Sequence, residues 1–368
     1  MLENDDDSVT GSGMPFPGKI AVITSPPTYT QNDEESWSAE QLMAKYGDNK
    51  IIHVHWPSFY LHDYDQVVAT VASLAVDDEI RAIMINQVVP GCNTAVDKFR
   101  EIRDDVFVVY SAVHESSSSV AERANLILEA DMLGRGPAMV KQAKKQGAKV
   151  FVHYSFPRHM AIEHEVNCRD SIREKCAAEG LEFVDATVLD PTEDMYNSQE
   201  FISGNVAKLV AEYGDDTAFF CTNCFLQGPL IKAVIDNHAI FPQPCCPSPY
   251  HGFPMALGID VDDDMPDLNY MINETKRIAA GKNMTGRLST WPVSVSMMSI
   301  HAGVEYAIKW INRQVQETGV EDQVLLDCMS AYIKKVSGKE MGVSFTSCSE
   351  GDKVYNNYKL LLMDYLNY

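Results

Sequence analysis

From Lys19 to Asp260 the chain alternates, about every 30 residues, between a short apolar run and an amphipathic helical stretch. The runs are KIAVITS (19–25), KIIHVHW (50–56), IRAIMIN (80–86), VFVVYSAV (106–113) and LILEAD (126–131), then KVFVHYS (149–155), EFVDATVLD (182–190), TAFFCTN (217–223) and FPMALGID (253–260). Apolar runs without polar alternation fit strands buried on both faces, as in parallel sheets covered by helices. The pattern therefore predicts an α/β chain.

Five strand candidates precede the helical stretch LGRGPAMVKQAKKQG (133–147) and four follow it. The simplest arrangement is two doubly wound parallel-sheet lobes, and a chain of 368 residues is long enough for two cores. Ligands of open α/β sheets sit beyond the carboxyl ends of the strands, so two such lobes predict an interlobe ligand cleft. The last stretch, VSFTSCSEGDKVYNNYKLLLMDYLNY (343–368), is expected to end in a helix carrying Leu360, Leu361, Leu362, Tyr365 and Leu366 that packs on the second lobe.

Charge narrows the partners. Lys and Arg number 30 against 52 Asp and Glu, a formal net charge of -22. Such a surface repels phosphate backbones and anionic lipid at long range, which disfavours nucleic-acid binding. No stretch of roughly 18 uncharged apolar residues occurs, so no transmembrane segment is expected. Residues 1–17, acidic and then rich in small residues, are expected to form a flexible acidic tail: either a frayed end, or the spacer left once a secretion signal and a lipid-bearing cysteine are removed.

The nine cysteines form no small-domain disulfide framework, and their odd number leaves at least one thiol unbridged. Cys221 and Cys224 form a CxxC, followed by the pair Cys245-Cys246, which raises a zinc site. Cys221 falls inside an apolar strand, however, where residues three apart point to opposite faces. The expectation is therefore no metal and no cofactor, with buried or incidental thiols.

Common catalytic signatures are missing: there is no GxSxG, HExxH, GxxxxGK[ST] or early GxGxxG. An enzyme has no support from motifs. The strand ends instead carry polar and aromatic groups suited to holding a small polar ligand. Ser25 and Tyr29 follow the first run, Gln87 the third and His114 the fourth; Arg158 and His159 follow KVFVHYS; Asn223 ends TAFFCTN and Asp260 ends FPMALGID. Each has a plainer alternative as a turn former or helix cap, Asn223 and Asp260 above all.

These elements in this order resemble the type I periplasmic binding protein superfamily, which includes sugar receptors of ABC importers and the effector domains of LacI-like repressors. FFCTNCFLQGPLIKAVID (219–236) is similar to the family strand that ends in a ligand-binding Asn. PMALGID (254–260) is similar to the strand ending in Gly-aromatic-Asp, and GRLSTWPVSVSMMSIHAGVEYAIKWI (286–311) to the late strand, returning crossover and helix. The resemblance covers roughly residues 18–315 and implies Asn223 and Asp260 as ligand contacts, with Arg169 near the family's ligand-binding arginine and Trp291 or Val293 near its final hinge contact. It places the lobes at 18–131 plus 260–292 and at 132–259 plus 293–368. The family's Asn-Asp pair reads Asn223-Cys224 here, which departs from a typical pentose or hexose site.

Within that superfamily the chain resembles an uncharacterised bacterial family whose members are described as lipoproteins or as transcriptional regulators. The first label implies a receptor that closes by hinge motion on its solute and presents it to a membrane permease, in an extracytoplasmic, lipid-anchored setting. The second implies a cytoplasmic effector-sensing regulator. A repressor of the LacI kind carries a helix-turn-helix before its first strand, whereas 18 residues precede Lys19 here. The expected function is therefore solute binding, with a regulatory protein lacking its own DNA-binding domain as the alternative.

Overall fold

The computed structural model describes residues 13–26, 33–261 and 267–368. Its strands in chain order are β1 (Lys19–Thr24), β2 (Ile51–His55), β3 (Ile80–Val88), β4 (Phe107–Val113), β5 (Leu126–Ala130), β6 (Val150–Ser155), β7 (Glu182–Thr187), β8 (Thr217–Cys221), β9 (Ser289–Thr290), β10 (Val343–Glu350), β11 (Lys353–Met363) and β12 (Leu366–Asn367). Eight of the nine apolar runs become strands, and the fold is the α/β class expected. β1, β6 and β8 are buried almost end to end, as strands covered on both faces must be.

The chain divides into two compact units. The first comprises Met1–Glu129, Ser296–Tyr332 and Thr346–Leu360, and the second Ala130–Val295, Ile333–Phe345 and Leu361–Tyr368. Residues 260–292, expected in the first lobe, therefore group with the second, and most of 293–332 does the reverse. The reason lies in the sheets. Leu288 bridges Phe241 in parallel, and β9 pairs with β12, so the late strand extends the second unit.

In the first unit the sheet order is β10-β11-β5-β4-β3-β1-β2, and β1 to β5 pair in parallel. Its core runs from Ile23, Ile83 and Ile85 through Val108 and Tyr110 to Tyr358 on β11. The helix Val295–Ile311 is buried along most of its length. A Cβ on its Gly303 would lie 2.9 Å from Val109 of β4, so that glycine lets the helix backbone approach the sheet.

The second unit is built on β7-β6-β8, all parallel. Ala218 of β8 bridges Ile240 next to it, also in parallel. Met139, Val140, Phe151, Ile172 and Phe220 are wholly or almost wholly buried in its core. The helix Met132–Lys145 starts where Asp131 accepts the Gly134 amide at 2.8 Å and ends on Lys144 and Lys145, complementing its dipole at the carboxyl end.

Two expectations fail. Residues 253–260 form no strand: Phe253–Leu257 is a short helix, with Pro254 in its first turn and Gly258 at φ 65° closing it. The tail is no helix either. β10 and β11 lie side by side in the sheet and join through a turn at Gly351 (φ 59°), with β12 following. The alternating exposure along β10 is that of a strand with one covered face. Among the described residues, no helix is long and apolar enough to cross a membrane.

Candidate ligand-binding site

In the first sheet, β1 has β2 on one side and β3 on the other, so the strand order reverses there. Connections leave in opposite directions at such a point, and a crevice opens at the carboxyl ends. Ser25 follows β1, Gln87 lies near the end of β3, and His114 follows β4. The three are linked through a residue that sequence reasoning missed, Glu35, in the first turn of the helix Asp33–Tyr46.

Glu35 is 2% exposed. One of its oxygens accepts the Gln87 side-chain amide at 2.6 Å, and the other accepts the Ser25 backbone N–H at 3.1 Å. Gln87 Oε1 in turn lies 3.0 Å from His114 Nε2, and Ser25 Oγ lies 2.9 Å from the Tyr60 hydroxyl. Burial pushes the Glu35 carboxyl up from its ordinary value, and the Gln87 and Ser25 hydrogen bonds oppose that shift. Gln87 itself has φ 61°, a left-handed backbone that few non-glycine residues adopt. Backbone strain of this kind clusters where a side chain has to be aimed.

A second missed acid stands at the end of β5. Glu129 Oε1 accepts the Val113 amide of β4 at 2.9 Å, and burial pushes its carboxyl up to about 7. His114, one residue beyond Val113, is held below the ordinary imidazole value by burial. The end of this sheet thus combines an exposed imidazole, an amide and two carboxyls whose charge is disfavoured by their surroundings.

The second unit has a matching reversal at β6, between β7 and β8. His159 Nδ1 lies 2.9 Å from Thr222 Oγ1 just past β8, and its ring lies against Phe156, with centroids 4.1 Å apart. Arg158 grips Asp190 through two hydrogen bonds of 2.7 and 3.0 Å and lies over the Phe156 ring at 5.1 Å. That partner raises the Arg158 pKa and holds Asp190 well below the usual carboxylate range. Asn223 accepts the Phe225 amide at 2.9 Å, so its side-chain oxygen caps the short helical turn that follows.

The remaining predicted residues do not join these groups. Tyr29 lies outside the described residues. Asp260 is exposed and follows a helix, so it ends no strand. Arg169, on the helix Glu163–Glu179, pairs with Asp170 at 2.8 Å. Trp291 is wholly buried beside Tyr365 and offers no accessible ring face. A pocket of about 270 Å³, lined in part by Tyr196, Glu200, Lys232 and Met255, contains none of the strand-end residues.

Most of the cysteines are the buried thiols expected. Cys221 is wholly buried, with its thiol pushed up to about 12 by burial, and is no ligand candidate. Cys224 meets Cys245 and His251, so two of the cysteines considered and set aside as zinc ligands come together with an imidazole that no short motif marked.

The sequence model of the family described as "Protein of unknown function (DUF3798)" matches residues 18–289. The chain belongs to this family. An uncharacterized protein of Treponema pallidum (strain Nichols) is 32% identical over 165 residues, 44% of this chain and 76% of that relative. Among solved structures, one described as a "Putative transcriptional regulator" from Clostridium difficile 630 matches with a TM-score of 0.82 at 22% identity, covering 96% of this chain and 100% of that one. A sugar ABC transport system substrate-binding protein from Bordetella parapertussis 12822 matches at 0.51 and 11% identity, covering 97% and 91%. At these identities the likeness is one of fold, shared with a transport substrate-binding protein as well as with the Clostridium protein.

Proposed function

We propose that this chain is a non-enzymatic receptor for a small polar solute, and that the group formed by Ser25, Glu35, Gln87 and His114 takes part in binding it. The observation that carries this reading is the buried Glu35 carboxylate at the strand-order reversal, oriented by Gln87 and Ser25. Each carboxylate oxygen has lone pairs beyond the bond it already accepts. A ligand presenting hydroxyl or amino donors meets that need, and the Tyr60 hydroxyl with the His114 imidazole adds further polar atoms. The Bordetella protein named above, of the same fold, is by its name a substrate-binding component of sugar transport, which supports a receptor role with an ABC permease as partner and an extracytoplasmic setting.

The full-length fold match to the Clostridium protein supports a second reading, an intracellular effector sensor that acts through protein contacts. Fractionation of cells making the native gene product separates the two. The binding reading itself is tested by mass spectrometry of small molecules released from the purified protein. A stoichiometric polar metabolite, bound at least tenfold more weakly by Gln87→Ala, is the expected result. A metabolite whose affinity is the same in Gln87→Ala and His114→Ala would remove this group from the site.

A further inference from the structure

In the second unit, the turn that leaves β8 and the segment before the helix Phe253–Leu257 bring two thiols and an imidazole together. Cys224 Sγ lies 3.5 Å from Cys245 Sγ, and Cys245 Sγ lies 3.4 Å from His251 Nε2. All three donor atoms fall within 4.8 Å of one another. A tetrahedral zinc ion, with bonds of about 2.3 Å to sulfur and about 2.0 Å to nitrogen, separates its ligands by roughly 3.8 Å for two sulfurs and roughly 3.5 Å for sulfur and nitrogen. The two close contacts sit within a few tenths of an ångström of those spacings. A disulfide, by contrast, needs its sulfurs at roughly 2.05 Å.

The backbone carrying these donors is tied down by groups that do not themselves bind metal. Gln227 is wholly buried. Its Nε2 donates to the carbonyls of Cys221 at 3.0 Å and Asn223 at 2.7 Å, while its Oε1 accepts the Cys245 amide at 3.3 Å. One side chain therefore joins the turn bearing Cys224 to the segment bearing Cys245. Arg135 donates to the Cys245 carbonyl at 2.6 Å. Gly252, directly after His251, has φ 80°, and a Cβ there would come within 2.8 Å of Gln227, so the segment holding His251 packs closely on the same glutamine. Supporting shells of this kind fix ligand geometry before the ion arrives.

We propose that Cys224, Cys245 and His251 form a site for a thiophilic divalent metal, zinc by class. Two thiolates and an imidazole are a donor set that zinc favours. Cys246, adjacent to Cys245 and exposed, is left outside the set, so the fourth position falls to water or an added ligand. An ion here would fix the turn that holds Asn223 at the end of β8. The spacing, Cys224 to Cys245 and then to His251, matches no short zinc motif because the donors come from the turn after β8 and from the loop before the helix Phe253–Leu257, and not from one tight turn.

The test uses the full chain purified with zinc sulfate and dialysed against metal-free buffer. Elemental analysis is expected to give about one zinc per chain, falling below about a tenth in Cys224→Ser and His251→Ala and unchanged in Cys221→Ser. Cobalt in place of zinc is expected to give tetrahedral d–d bands with thiolate-to-cobalt charge transfer, absent in the same two variants. Should those variants fail to fold, alkylation of the wild type decides: peptide mass spectrometry is expected to find Cys224 and Cys245 shielded by zinc and labelled after chelation. Protein that retains no zinc, zinc retained by both variants, equal labelling with and without zinc, or a Cys224–Cys245 disulfide in the isolated protein would each overturn the site.

Discussion

The carboxyl of Glu129 offers a direct measure of how strongly the strand ends of the first unit disfavour charge. Its pKa is pushed from 4.5 to about 7 by burial, against the pull of the Val113 and Ala112 amides. The folded state therefore holds a proton that the unfolded chain has already released. Stability from this group is fully present below 4.5 and is lost as the pH rises through 7. At about 1.4 kcal/mol per pKa unit the whole effect is about 3 kcal/mol, of which about 2.5 kcal/mol falls between pH 5 and 8.5. Glu129→Gln keeps the shape and removes the titration. His53, held down near 4 by burial, contributes the opposite slope, as do His55 and His114, but these are present in both proteins and cancel in the difference. Urea unfolding followed by tryptophan fluorescence suits the measurement, because Trp37, Trp56 and Trp310 belong to the first unit and Trp291 alone to the second. The wild type is expected to lose about 2.5 kcal/mol relative to the variant across that range. Stability profiles that stay parallel within about 0.5 kcal/mol would refute the claim that this carboxyl is held neutral near pH 7.

Three further outcomes follow from other contacts. Glu35→Gln turns one acceptor toward the Gln87 side-chain amide into a donor, and is expected to weaken binding of any co-purifying polar metabolite about tenfold, read by isothermal titration. Asn223→Ala removes the cap on the Phe225 amide and should cost about 1 kcal/mol in urea unfolding of the second unit; an unchanged midpoint would deny the capping role. Gly303→Ala drives a methyl to 2.9 Å from Val109 and should destabilise the first unit by about 1–3 kcal/mol, seen as a lowered thermal midpoint.

The parallel strands were legible because burial on both faces leaves a continuous apolar run. FPMALGID misled because a short apolar run does not by itself separate a strand from a buried helical turn. Its punctuation, Gly252, Pro254 and Gly258, favoured the helix. In the tail, the leucines of β11 outweighed a Gly351 turn that signalled a pair of strands. Within the site, Ser25, Gln87 and His114 could be named because each stands where a strand ends. Glu35 could not: an acidic residue among Asp33, Glu34 and Glu35 looks like any helix start, and only the fold buries it under Gln87. Cys224 and Cys245 could be raised as zinc ligands from their pairing in the chain, but His251 could not, since it joins them only where the turn after β8 meets the loop before Phe253.

The interleaving of the two units bears on how the molecule is made. Each is assembled from three separate stretches, and the first receives its last piece, Thr346–Leu360, only after two stretches of the second have been made. That piece supplies β11, the strand that covers the open side of β5, and its Asn357 holds the carbonyls of Ala121 and Ala124 at 2.9 and 2.8 Å. While the ribosome is still translating, β5 is an apolar strand with an unpaired edge, the kind of surface that recruits other chains. The first unit cannot be released as a contiguous fragment with its sheet complete. A nascent chain of this design depends on protection until Thr346–Leu360 emerges, and a premature stop before residue 343 would yield an aggregating product rather than a smaller folded one.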